Sequence, residues 1–177
     1  MEPIVIERPV VRGSRVTTRV RRGGAGRYLR RERFWVEYDG VPELEEMDPA
    51  ITVLPALASV LPVAYALGVP VEVDSVDAEF AHAADHLPAV YSAMYPSFQG
   101  EAFRLDGRRA NVSAPKSRGA MLLFSAGVDS TSSLIEHADE IEDLLVVWGA
   151  DIDAEDVGAF KQKRPMSNEI RWLARKI

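Results

Sequence analysis

The sequence predicts an α/β chain. A mixed α+β region occupies residues 1–118, and the start of a parallel-sheet unit, left incomplete, occupies residues 119–177. Three observations predict this. Residues 1–40 hold β-branched and aromatic runs around a glycine cluster. Two stretches between residues 48 and 95 carry apolar residues at helical spacing. After residue 119 an apolar run, a small-residue turn, a helical stretch and a second apolar run follow one another, which is the order of a βαβ unit.

The elements follow from local chemistry. Ile4-Val5-Ile6, Val16–Val20 and Phe34–Tyr38 read as strands, the last two forming a hairpin across Gly23-Gly24-Ala25-Gly26. Residues 48–68 read as helix, with Asp48 as N-cap, Pro49 at the first position and Gly68 as the close. Pro55 and Pro62 predict a kink there, or two shorter helices. Val69–Val73 reads as a strand. Asp77–Tyr95 reads as a helix with Phe80, Ala84, Leu87, Val90, Tyr91 and Met94 on one face. Phe103–Val112 reads as a second hairpin turning at Asp106-Gly107, and residues 114–119 as a linker. Ala120–Phe124 and Leu144–Trp148 read as buried parallel strands, with a helix over 131–141 between them and mostly helix over 154–177, broken near Pro165.

Composition narrows the function. The chain has 177 residues, of which 47% are apolar and 27% charged, as in an ordinary globular protein. It has no cysteine, which excludes disulfides, thiolate zinc sites and a cysteine nucleophile. No apolar run is long enough to span a bilayer, and the first residues lack the pattern of a secretory signal, so a cytoplasmic protein without membrane attachment is expected. The net charge is −6 but unevenly spread: residues 1–40 hold ten Arg against five Asp/Glu, the remainder 11 basic against 22 acidic residues. The basic stretch has two readings, a solvated hairpin that protects an edge or an arm for an anion, an acidic partner or nucleic acid.

Chemistry concentrates in Leu122-Leu123-Phe124-Ser125-Ala126-Gly127-Val128-Asp129-Ser130-Thr131. A small-residue turn between a buried strand and a helix exposes backbone N–H groups at the positive end of the helix, where phosphates bind. Ser125, Ser130 and Thr131 add hydroxyl donors. Asp129 would repel phosphates unless a cation intervenes, and Mg²⁺ is the cation that fits oxygen ligands. The spacing is neither that of a Walker A loop nor the dinucleotide fingerprint.

This run resembles the Ser-Gly-Gly-x-Asp-Ser/Thr signature of the PP-loop ATP pyrophosphatases. Val128-Asp129-Ser130-Thr131 is most similar to the 7-cyano-7-deazaguanine synthase branch, as is Trp148–Asp153 after the second strand. The resemblance implies Mg²⁺-dependent cleavage of ATP between the α and β phosphates. It also implies adenylation of a carboxylate or carbonyl oxygen on a small second substrate, and displacement of AMP by a nucleophile. Carried over by position, Ser125 and Asp129 would be catalytic. Phe124, Ser125, Ala126, Gly127, Val128, Asp129, Ser130 and Thr131 would line the nucleotide site, Asp129 would hold the metal, and Asp151 would lie near the ribose or adenine.

Two departures open a second expectation. Ala126 stands where the family has glycine, and a Cβ there costs about 1 kcal/mol if the position needs positive φ. Only two of about five expected parallel strands follow residue 119, so a fragment of a longer enzyme is one expectation. A shortened relative with a vestigial loop, acting as a scaffold with a partner protein or a second copy completing the sheet, is the other. His82 and His86 sit four apart on one helix face, a spacing that suits a metal or an ordinary exposed pair. His137 is expected at the surface.

Overall fold

Alternation of β-branched and charged residues builds the N-terminal sheet around Arg15–Arg21 (β3). Its Val16, Thr18 and Val20 are buried while Arg15, Arg19 and Arg21 are exposed, the period-two pattern of a half-buried strand. Val10–Arg12 (β2) pairs with β3 across a turn at Gly13, where φ is +56°. Arg33–Glu37 (β4) pairs with β3 antiparallel on the opposite side, as the hairpin reading expected. Ile4–Ile6 (β1) pairs antiparallel with the last residues of β3 and parallel with Val71–Asp77 (β5), which in turn runs parallel to Leu105–Ala110 (β6). The sheet therefore mixes parallel and antiparallel strands, and the protein is mixed α/β.

The computed structural model describes residues 1–38, 41, 43–98, 100–112, 120–125 and 127–147. It divides into two units, Met1–Ser113 and Ala114–Ile177.

The glycine cluster of the first hairpin has a structural task. Gly23 takes φ +45°, and a Cβ on it would overlap the Pro3 carbonyl, so only glycine fits. Gly24 N–H donates to the Glu2 carbonyl at 2.9 Å. This loop docks the N-terminus.

The helices of this unit cover one sheet face. Asp48 caps Pro49–Thr52 (α1) by accepting from the Ala50 N–H at 2.8 Å. The chain then restarts as Leu54–Leu67 (α2), with Pro55 in its first turn and Gly68 closing it at φ +63°. Of the two proline readings, two helices is what occurs. Asp77 caps Ala78–Met94 (α3) through the Phe80 N–H. Ile4, Ile6, Leu57, Leu61, Tyr65, Val71, Val73 and Ala84 belong to one buried cluster, and burying such side chains contributes about 1.5–3 kcal/mol each for the larger ones.

Three expectations are corrected in this unit. Residues 103–112 are not a hairpin: Gly107 lies inside the single strand Leu105–Ala110, opposite a register shift between Glu72 and Ser75. A Cβ on Gly107 would stand 2.6 Å from Val73 Cγ2 and 2.7 Å from the Val73 carbonyl oxygen. The glycine marks a bulge with close backbone approach, not a turn. On α3, Leu87, Val90 and Met94 are exposed. The buried stripe runs through Ala81, Ala84 and Pro88; Ala81 and Ala84 join the core cluster, and Gly100 lies against Pro88. The strand after Gly68 begins at Val71, not Val69, and extends to Asp77.

In the second unit, Ala120–Leu123 (β7) pairs parallel with Ile141–Leu145 (β8), and Val128–Glu136 (α4) joins them. This is a βαβ unit. The helix begins three residues earlier than its predicted start and ends at Glu136, short of the predicted 141. The second strand likewise begins at Ile141 rather than Leu144, so Ile141 belongs to it. Burial is less than the apolar runs suggested: Met121 and Leu123 are 61% and 62% exposed. The linker, Trp148 and the stretch 154–177 lie outside the described residues. No helix among the described residues is long and apolar enough to cross a membrane.

Candidate functional site

The site is built at the carboxyl end of β7. Phe124 N–H donates to the Leu145 carbonyl at 2.8 Å, so the β7–β8 ladder holds Phe124, whose side chain is buried. Ser125 is the next residue along and is exposed. Gly127 is the N-cap of α4, in extended conformation with φ −82° and ψ 172°, and no side chain caps the helix end. The first intrahelical bond runs from the Thr131 N–H to the Gly127 carbonyl at 3.0 Å. The helix itself supplies no acceptor for the N–H groups of Val128, Asp129 and Ser130, and these groups carry the positive end of its dipole.

Two hydroxyls converge beside those amides. Ser125 Oγ lies 3.3 Å from Ser130 Oγ, the Gly127 N–H approaches Ser125 Oγ at 3.4 Å, and Ser130 Oγ donates to the Gly127 carbonyl at 3.1 Å. Asp129 sits in the first turn and is exposed, where its charge also suits the helix dipole. Val128 is 86% exposed. A Cβ on Gly127 would meet only Ser125 Oγ at 3.4 Å, an ordinary contact. Packing therefore does not require glycine at this position.

The structure thus brings Phe124, Ser125, Gly127, Val128, Asp129, Ser130 and Thr131 to one strand–helix junction. Ala126 and Asp151 lie outside the described residues. The donors here are all hard oxygens, a set that suits Mg²⁺ when phosphate oxygens complete its shell.

The other chemistry-bearing residues are ordinary. His86 Nδ1 lies 2.7 Å from the His82 carbonyl oxygen, so that nitrogen carries the proton and donates. No cluster of three or more metal-ligating side chains occurs among the described residues. His137 is exposed and 3.7 Å from Glu140 Oε1. In the first unit, an open cleft of about 490 Å³ is lined by Val5, Ile6, Glu7, Arg8, Glu72, Val73 and Asp74.

No protein-family model, curated protein or solved structure matches this chain.

Sequence patterning passed over Arg12, Arg15 and Trp35. The signal was present as Arg12 in β2, Arg15 and Arg19 four apart in β3, and a tryptophan in β4, but only the strand pairing shows that they share a face.

Proposed function

We propose that the turn between β7 and α4 is the phosphate site of a PP-loop enzyme, which cleaves ATP to AMP and pyrophosphate and adenylates a carboxylate or carbonyl oxygen on a second, small substrate. The observation that carries the proposal is the meeting of the Ser125 and Ser130 hydroxyls, 3.3 Å apart, at the uncapped start of α4. Backbone N–H groups of residues 128–130 would hold phosphate oxygens, as helix N-termini do. The two hydroxyls would exchange their mutual hydrogen bond for bonds to the same phosphates, and charge-assisted bonds are the stronger ones. Gly127 would let the backbone approach a phosphate where a side chain would stand in the way.

Asp129 would hold Mg²⁺, and the ion, when bound, would neutralise charge on the leaving pyrophosphate. The chain's own residues would orient the nucleotide. Catalysis of this kind is mostly positioning and electrostatic stabilisation.

A second reading keeps the loop vestigial and makes the protein a scaffold whose sheet is completed by a partner or a second copy. Ala126, in a position where the signature has glycine, favours it.

Isothermal titration of Mg-ATP into the wild-type protein and the Asp129→Ala variant decides between them. Binding by the wild type, weakened in Asp129→Ala, supports the enzyme site. No binding by the wild type, or equal binding by both, supports the vestigial loop.

A further inference from the structure

Directly opposed residues on neighbouring strands point to the same side of a sheet. Strand β3 lies between β2 and β4, so its exposed positions can be followed across all three strands. Three rows result. Arg12, Arg15 and Glu37 form the first, Val10, Thr17 and Trp35 the second, Arg19 and Arg33 the third. Successive rows stand about 7 Å apart, two residues along a strand.

This arrangement opposes like charges twice, Arg12 to Arg15 and Arg19 to Arg33, which destabilises a sheet. Acidic neighbours offset only part of it. Arg15 pairs with Glu37 at 2.7 Å and Arg19 with Glu32 at 3.8 Å, while Arg12 and Arg33 make no ion pair among the described residues. Protection of a sheet edge accounts for Arg12 and Arg33 on the outer strands but not for Arg15 and Arg19, which lie on the middle strand. The row between the arginines carries Trp35, 46% exposed, with the Arg15 guanidinium 4.7 Å from its ring centroid.

We infer that this open sheet face binds single-stranded nucleic acid, with the two opposed arginine pairs, about 14 Å apart, on phosphates two apart along the strand and Trp35 stacked under a base between them. Phosphates placed between Arg12 and Arg15, and between Arg19 and Arg33, relieve the repulsion that the free protein carries. An unstacked base covers the exposed indole, and stacking of this kind tolerates any base. A duplex offers no free base face to Trp35. The inference concerns the first unit and does not depend on the ATP site.

The test is fluorescence anisotropy with labelled oligo-dT and oligo-rU of about twelve nucleotides, titrated with the whole protein over a salt series. Wild type binds, with log K falling linearly against log salt. Trp35→Ala weakens binding by about five- to 150-fold, the range for one lost base stack. Arg33→Thr reduces the salt slope by about 0.7 and at the same time raises the melting temperature of the free protein, because one like-charge pair is gone. Arg33→Lys keeps the slope. Three outcomes overturn the inference: no binding at low salt, binding unchanged in Trp35→Ala, or a salt slope unchanged in Arg33→Thr. Self-association lost in Arg33→Thr without oligonucleotide binding assigns the face to a second copy and overturns it as well.

Discussion

Ser125 Oγ lies 3.3 Å from Ser130 Oγ across the turn that joins β7 to α4. One hydroxyl follows the strand and the other rides on the first helical turn, so strand and helix must both form before the pair exists. Ser130→Ala removes one of them and the bond to the Gly127 carbonyl at 3.1 Å. The fold should lose about 0.5–1.5 kcal/mol, the usual value of one hydrogen bond. The dissociation constant for Mg-ATP should rise by about ten- to 150-fold, the value of a bond to a charged group. Urea denaturation and calorimetric titration measure the two effects separately.

Gly127→Ala separates folding from binding at the next position. Its Cβ meets nothing closer than Ser125 Oγ at 3.4 Å, and φ is −82°, so stability should change by no more than about 1 kcal/mol. Nucleotide binding should be lost, since in the proposed site the added methyl group would occupy the path of the phosphate. Undiminished Mg-ATP binding by a folded Gly127→Ala protein would place the phosphates elsewhere.

Gly107→Ala should behave oppositely. The new Cβ would press on the Val73 carbonyl oxygen, which is backbone and cannot rotate away. A loss of about 1–3 kcal/mol is expected for such overpacking, read as a lower urea midpoint, with Mg-ATP binding unchanged once the protein is folded.

Tyr65 gives the fold a dependence on alkaline pH. Its hydroxyl donates to the Ala84 carbonyl at 3.0 Å, and its ring stands edge-on to Phe103 at 4.6 Å. Burial raises its pKa, and the charges of Tyr91 and Asp85 raise it further. The folded value therefore exceeds the unfolded one of about 10. The stability contributed by the neutral phenol is complete below pH 10 and is lost as pH rises beyond it. Tyr65→Phe should be less stable than wild type at pH 7 by about 1–3 kcal/mol, since the buried carbonyl loses its donor. The gap should narrow at pH 10.5. A constant gap between the two pH values, measured by urea denaturation, would remove Tyr65 from the account.

Local chemistry made much of this fold legible. Asp48 and Gly68 marked the helix ends because capping depends on one side chain or one backbone angle, both visible in the sequence. Pro55 and Pro62 left two outcomes open, and the break at Val53 chose between them. Gly107 misled because Asp-Gly is a turn dipeptide in isolation. Its true constraint is Val73, a residue distant in sequence that only strand pairing brings close. The start of β5 and the outward face of Leu87, Val90 and Met94 were hidden for the same reason. The site residues were legible as one contiguous run, since a turn between strand and helix is local. The face shared by Arg12, Arg15 and Trp35 was not, because it crosses three strands.

In the proposed site the amides of residues 128–130 receive the phosphates of ATP. Amide chemical-shift mapping during a Mg-ATP titration tests it most directly. The largest shifts should fall on Val128, Asp129 and Ser130, and they should require Mg²⁺. Shifts centred on Glu7, Arg8 and Asp74, in the cleft of the first unit, or no shifts at all, would contradict it.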